Sequence, residues 1–241
     1  MMNKEIKTKS SKKSRIGVDI GGTFTDIVVT RDDKPLLVRK ISSTPDNYAS
    51  AVAEGIKLLL VEKGISAEEI SDVVHATTVA TNAILEGKGA LTGLITTLGF
   101  RDVLEFRRVR FPELYNLSYI KPKPLVQRRD RLEVIERVSA DGSIRVHLDE
   151  PSVVNAAKKL KERGVTAVAI CLLHSYINPV HEKRTEEIVR SIMPPGTFIC
   201  SSYEVLPEIR EYERTSTTVV NAYLGPVLSH YLFQLRKKLD D

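Results

Sequence analysis

Asp19-Ile20-Gly21-Gly22-Thr23-Phe24-Thr25-Asp26 joins two β-type segments, and its reading decides the fold. Before it, Ile16, Val18 and Ile20 alternate with Gly17 and Asp19, the period of a half-buried strand. After it, Thr25 to Thr30 is a β-branched return strand, so Gly21-Gly22 reads as the turn between them. Asp32-Asp33 turns the chain again into a third strand, about Leu36 to Ile41. The opening is therefore antiparallel, which is unusual for a purely doubly wound protein. Two adjacent glycines let backbone N–H groups approach an anion, because no Cβ stands in the way. Thr23 and Thr25 add hydroxyls at alternate positions, and Asp19 supplies the hard oxygen ligand that a divalent cation prefers. A lone Gly-Gly would read as an ordinary turn; the whole octet favours a nucleotide-phosphate hairpin.

Working outward, Tyr48, Val52, Ile56, Leu59 and Leu60 fall on one helical face, with Gly64 placed to end the helix. Ser66 and Glu69 have capping-box spacing and predict a short helical turn over 67–71. Val73-Val74 reads as a strand, 78–86 as a helix and Leu91 to Thr97 as a strand. An irregular stretch with Pro112, Pro122 and Pro124 follows Gly99. Arg131 to Val138 and Ile144 to His147 are expected to pair as a hairpin across Asp141-Gly142. A helix over 150–163 stops at Gly164, and Val165 to Leu172 has the continuous apolar character of a strand buried on both faces. A helix from Pro179 to Met193 and a strand near Thr197 to Cys200 complete the alternation. Pro207 suits a first helical position, so a long helix is expected from there almost to the end, kinked at Pro226. Strands alternating with helices predict an α/β fold with a mixed sheet.

Other segments carry weaker chemical signals. Gly87, Gly89 and Gly93 imitate a dinucleotide fingerprint but precede a strand, so that reading is rejected; there is no Walker A pattern either. His75-Ala76-Thr77-Thr78-Val79-Ala80-Thr81-Asn82 lies at a strand-to-helix junction, where free N–H groups and a positive helix end suit an anion. The same pattern also describes plain helix capping beside a buried histidine. In Leu206 to Thr218, Glu208 and Glu211, and Arg210 and Arg214, are spaced to share a helix face, the ordinary mark of a salt-bridged surface. Thr215 to Thr218 then exposes four hydroxyls on a helix that they favour poorly. Cys171, His174 and His181 lack a convincing fourth ligand, so no zinc site is expected.

The chain has 241 residues, 42% apolar and 28% charged, enough for one large domain or two small ones. Its net charge of +5 is carried entirely by residues 1–15, where six basic residues face Glu5 alone. The rest is neutral, so the basic excess belongs to a solvated tail and nucleic acid is not an expected partner. Two cysteines make no disulfide framework, which suits a reducing, cytoplasmic setting. No apolar run approaches the roughly 20 residues of a membrane span.

Arg15 through Asp26, Thr44-Pro45-Asp46, His75 through Asn82, Gly99-Phe100-Arg101-Asp102, Cys171 through Tyr176 and Glu204 through Tyr223 occur in an order that resembles one family. It is the N-terminal region of the hydantoinase A/5-oxoprolinase family, which includes ATP-dependent N-methylhydantoinases and ketone carboxylase subunits. The resemblance covers the chain from residue 15 onward. It implies a ribonuclease-H-like half of an actin-like ATPase fold, as in sugar kinases, Hsp70 and actin, followed by a long C-terminal helix. The implied domains are a basic tail over 1–14, the family's N-terminal domain over 15–200, and the helical start of the next domain over 201–241. The implied chemistry is ATP-driven activation of a cyclic amide or ketone oxygen. Gly21, Gly22, Thr23 and Thr25 would cradle phosphates, and Asp19 would hold Mg2+ directly or through water. Asp19 and His75 are the implied catalytic residues; Thr77, Thr78, Thr81, Asn82, Arg101 and Asp102 would surround the site.

Two departures qualify the resemblance. Ala76 stands where the family commonly has glycine, and its methyl would narrow the site. Family members also continue for several hundred residues, through a second nucleotide half. Three functions stay open: a hydrolase component opening a hydantoin, N-methylhydantoin or 5-oxoproline ring, with a second-half or hydantoinase B-type partner; the ATP-binding subunit of an acetone/acetophenone-type carboxylase; or an inert chain that binds partners, for instance through an exposed helix over 206–238.

Overall fold

The computed structural model describes residues 13–31, 34–44, 48–109 and 115–240. The predicted Asp32-Asp33 turn, Pro45-Asp46, Pro112 and nearly all of the basic tail lie outside them. Contacts divide the chain into two units, Met1–Gly87 with Leu228–Asp241, and Lys88–Val227.

In the first unit, β1 (Ser14–Ile20), β2 (Phe24–Arg31) and β3 (Leu37–Ser42) form the antiparallel opening. The alternation of β1 buries Ile16, Val18 and Ile20. Helix α1 (Tyr48–Glu62) packs Val52, Ile56 and Leu59 on that face. A Cβ at Gly55 would stand 2.6 Å from Ile27 Cδ1 and 2.7 Å from Ile41 Cδ1, so the bare glycine is what lets this helix approach the sheet. Gly64 ends the excursion at φ +62°. The predicted turn after it is a 3-10 turn at Ala67–Glu69, in which Ser66 N–H donates to Glu69 Oε1 at 3.1 Å.

The turn leads directly into β4 (Ile70–Thr77), which is much longer than the Val73-Val74 pair anticipated. It runs parallel to β1, with Ser71 Oγ donating to Ser14 O at 3.2 Å near its start. The sheet order is β3-β2-β1-β4, and α2 (Val79–Leu85) follows. A hairpin, a third antiparallel strand and a parallel crossover make up the ribonuclease-H-like arrangement expected of an actin-like ATPase half.

The second unit contains β5 (Thr92–Thr97), α3 (Val103–Phe106), β6 (Arg131–Val134), β7 (Arg137–Val138), β8 (Ile144–Val146) and α4 (Glu150–Glu162). It continues with β9 (Ala167–Cys171), α5 (Val180–Ile192), β10 (Phe198–Ser201), α6 (Ser202–Val205) and the first part of α7 (Glu211–Asp240). Its main sheet, β10-β9-β5-β6, is wholly parallel. Every residue of β5 and β9 is buried, as the continuous apolar run predicts. Leu160 of α4 and Val189 of α5 cover one side with Val168 and Ile170; Val219 and Ala222 of α7 cover the other with Ala167 and Ala169.

Two expectations are corrected. Arg131 to Val138 is not one strand: β6 joins β5, and only the short β7 pairs with β8, because Glu136 between them is buried against His181 and Thr97. The last helix starts at Glu211 and not after Pro207, since Arg210 has φ +80°, which no α-helix accommodates. A short helix, α6, precedes it. No described helix is long and apolar enough to cross a membrane.

Candidate functional site

The Gly-Gly turn is held by its neighbours and leaves two donors open. Gly21 N–H donates to Phe24 O at 2.9 Å, closing the hairpin. Ser43 N–H donates to Thr23 O at 2.9 Å, and Ser43 Oγ donates to Gly21 O at 2.9 Å. Because the Ser43 proton is used there, Thr25 Oγ1 is the donor in its 2.9 Å bond to Ser43 Oγ. Thr25 is thus buried and braces the hairpin, whereas Thr23 is exposed at its tip. The N–H groups of Gly22 and Thr23 have no hydrogen-bond partner among the described residues. Two consecutive open donors at a bare glycine are what an anion requires.

The junction after β4 lies against this turn. Thr78 gives both its N–H and its Oγ1–H to Ile20 O, each at 3.0 Å. Val79 N–H donates to Thr77 Oγ1 at 3.1 Å. The Thr78 and Val79 donors are thus used internally at the start of the seven-residue α2. The junction also brings Asn82 to the turn: a Cβ on Gly22 would sit 3.3 Å from Asn82 Nδ2. Thr81 is exposed on the same helix.

Strand register separates the two implied catalytic residues. Asp19 pairs with Asp26 on one side and Ala76 on the other, so these three share the face opposite the core. Asp26 is matched by Lys40 at 2.9 Å; Asp19 is exposed and has no ion pair or hydrogen bond among the described residues. The Ala76 methyl stands directly beside it in register. His75 pairs with Val18 and lies on the core-facing side, where its Nε2 shares a hydrogen bond with Tyr231 Oη. Burial holds the His75 pKa below its ordinary value, opposed by a hydrogen bond to its own backbone and by the Asp19 charge.

In the second unit, Arg101 and Asp102 follow β5. Arg128 holds Asp102 through a two-pronged contact at 2.9 and 2.8 Å, and that bond lowers the Asp102 pKa. Arg101 N–H lies 3.4 Å from Glu133 Oε1, the carboxylate oxygen that also accepts from Gly99 N–H at 2.7 Å.

The hydroxyl run on α7 faces inward more than its sequence implies. Thr215 meets Cys171 Sγ at 3.1 Å, and Thr218 Oγ1 donates to Arg214 O at 2.7 Å; both threonines are buried. Arg214 is buried and reaches Ser175 and Ser202, while Arg210 precedes the helix, so the two arginines do not share a helical face. Glu182 is fully enclosed, accepting from Leu172 N–H at 2.7 Å, Ser202 Oγ at 2.6 Å and Tyr203 N–H at 2.9 Å. Burial pushes its pKa up. Among the described residues no three His, Cys, Asp or Glu side chains converge as a metal site. Cys171 is engaged by Thr215 and His181 by Glu136.

Residues 15–193 match the sequence profile of the hydantoinase/oxoprolinase N-terminal region. The chain belongs to the hydantoinase/oxoprolinase family. The caprolactamase subunit alpha of Pseudomonas jessenii is 39% identical over 229 residues, covering 92% of this chain and 33% of that protein. The acetophenone carboxylase gamma subunit of Aromatoleum aromaticum is 35% identical over 233 residues, covering 90% and 32%. The solved structure of the ATP-dependent caprolactamase from Pseudomonas jessenii superposes with a TM-score of 0.85 at 38% identity, over 93% of this chain and 34% of that one. The chain thus spans about a third of the length of these relatives.

Within this family member, sequence reasoning overlooked Ser43 and Tyr231. Ser43 follows β3, and nothing in its local pattern points to the turn it braces. Tyr231 has a sequence separation of 156 residues from its histidine, and only an inward helical position hinted at a partner.

Proposed function

We propose that this chain is the phosphate-binding component of an ATP-dependent enzyme that opens a cyclic amide such as a hydantoin, N-methylhydantoin or 5-oxoproline. The observation that carries the reading is the pair of open N–H groups at Gly22 and Thr23, beside the unpaired Asp19 carboxylate. Those donors, with the Thr23 hydroxyl, would hold phosphate oxygens; Asp19 would hold Mg2+ or a water bound to it. Gly22 keeps the approach open, and Asn82 stands against it to orient what binds. Thr25 and Ser43 fix the turn, so its donors need little reorganisation when charge arrives. ATP would supply the phosphoryl group that activates the amide oxygen. His75, on the other face and bonded to Tyr231, acts here as a support for the strand and not as a proton carrier.

The hairpin provides part of a nucleotide site, and the relatives are about three times longer. A second-half or hydantoinase B-type polypeptide is therefore the partner expected to complete it. The carboxylase reading, in which a ketone oxygen is activated, is supported by the acetophenone carboxylase gamma subunit aligning over the same 90% of the chain.

The test is nucleotide turnover by this chain with its partner, in the presence of hydantoin, 5-oxoproline or a ketone in turn. Stimulation by one of them selects the substrate. Asp19→Ala and Thr23→Ala should each abolish turnover without changing the circular dichroism spectrum. Calorimetric titration with Mg–ATP that shows no binding, even with the partner present, removes the proposal.

A further inference from the structure

A cavity of about 480 Å³ opens in the first unit, at the end of the sheet where β1 begins. Lys13, Arg15, Thr30, Arg31, Ser71 and Asp72 line it. Strand register explains why they meet. Arg15 lies opposite Thr30 on β2 and beside Asp72 on β4, while Ser14 lies opposite Arg31. From there β1 runs seven residues to Ile20, so the Gly-Gly turn is roughly 20 Å away along the strand.

Three cations face one carboxylate in this cavity. Asp72 is committed: Arg15 Nε donates to its Oδ2 at 3.1 Å, and Ser71 Oγ donates to the same oxygen at 2.9 Å. The side chains of Lys13 and Arg31 have no ion pair or hydrogen bond among the described residues. Arg31 Nε is nevertheless buried, and so is Oγ of the fully buried Ser14 directly across from it; neither atom has a partner. Buried polar atoms without partners are costly and rare, so two of them on opposed residues mark a place that a ligand would complete.

The charge balance selects the ligand. Lys13, Arg15 and Arg31 against Asp72 leave an excess of two positive charges. A phosphate monoester carries about −1.5 to −2 at neutral pH, whereas a simple carboxylate carries a single negative charge. The flat guanidinium fork also matches two phosphate oxygens at once. The volume lies within the roughly 300–1,000 Å³ of small-molecule sites, which leaves room for the body of the ligand beyond its phosphate.

We propose that this cavity binds a small phosphate monoester. Lys13 and Arg31 take the phosphate, with one oxygen between Arg31 Nε and the Ser14 hydroxyl serving both donors. Arg15 stays paired with Asp72 and adds its charge to the field. The proposal does not depend on the nucleotide chemistry of the hairpin.

Calorimetric titration with ribose 5-phosphate, inorganic phosphate and acetate, in Mg2+-free buffer of low ionic strength, tests it. The ester should bind at least about tenfold more tightly than acetate. Arg31→Gln and Lys13→Gln should each weaken ester binding by about tenfold with circular dichroism unchanged. Lys13 is exposed, so its replacement keeps the test valid if the Arg31 variant fails to fold. Arg31→Lys keeps the charge without the fork and should retain more affinity than Arg31→Gln. Thr23→Ala, in the hairpin, should leave ester binding unchanged. Loss of ester binding in Thr23→Ala with indifference to both cavity substitutions places the phosphate in the hairpin and overturns the proposal. Equal affinity for acetate, binding of inorganic phosphate without the ester, or no binding of either phosphate also overturns it. Mg–ATP binding without ester binding rejects this site alone; ester binding without Mg–ATP binding rejects the proposed function alone.

Discussion

The phenolic hydroxyl of Tyr231 and Nε2 of His75 share a hydrogen bond that joins the C-terminal part of α7 to β4. The two rings lie 5.5 Å apart and tilted by 54°. Burial pushes the Tyr231 pKa up to about 12, so its proton stays on the oxygen at neutral pH. A histidine that the sequence offers to catalysis is used, within its own unit, to hold a helix on a sheet.

Tyr231→Phe removes that hydrogen bond while keeping the ring, and should cost about 1 kcal/mol in urea denaturation at pH 7. His75 also makes stability depend on pH. Its folded pKa is below the ordinary 6.5, so the unfolded chain takes up the proton first as pH falls. Stability from this group is present above pH 6.5 and declines as pH drops toward the folded value. His75→Gln should flatten that part of the pH profile.

Glu182→Ala should be far more damaging, by about 3 kcal/mol, because Leu172 N–H and Tyr203 N–H would be left buried without acceptors. Glu182→Gln keeps one acceptor oxygen and should cost less. Since burial raises this carboxyl, the folded chain holds its proton to higher pH than the unfolded chain does. The sign is opposite to that of His75: stability is present below the ordinary glutamate pKa of 4.5 and is lost as pH rises through the folded value. The glutamine variant should lack this loss, which midpoints measured across a pH series will show.

Gly89→Ala should destabilise the second unit by about 3 kcal/mol. The added Cβ would lie 2.0 Å from Tyr223 Cε1, against a ring whose backbone carbonyl already accepts from Ala90 N–H at 2.9 Å. Gly87→Ala meets nothing within 4 Å, although φ +67° disfavours it, and should cost about 1 kcal/mol. Thermal denaturation of the two variants side by side separates steric exclusion from backbone preference.

Much of the fold was legible because its signals are local. The alternation around Ile16, Val18 and Ile20, the apolar run ending in Leu172, and the helix stops at Gly64 and Gly164 each follow from a few adjacent residues. The start of α7 was misplaced because Pro207 is only permissive, whereas the positive φ of Arg210 comes from the surrounding chain. Thr215 to Thr218 reads as an exposed hydroxyl run until the sheet beneath α7 supplies Cys171 as a neighbour.

The sequence by itself determined the turn at Gly21-Gly22, the family, and the chemistry of the turn's own residues, since glycine, threonine and aspartate state it at close spacing. Only the tertiary structure decided what each residue does there. Register across 57 residues, from Asp19 to Ala76, puts Asp19 on the open face and His75 on the core face. Ser43 and Thr25 become braces, leaving Gly22 and Thr23 as the open donors. A strand's alternation specifies that neighbouring side chains diverge, but which face is buried depends on the helices that pack against it.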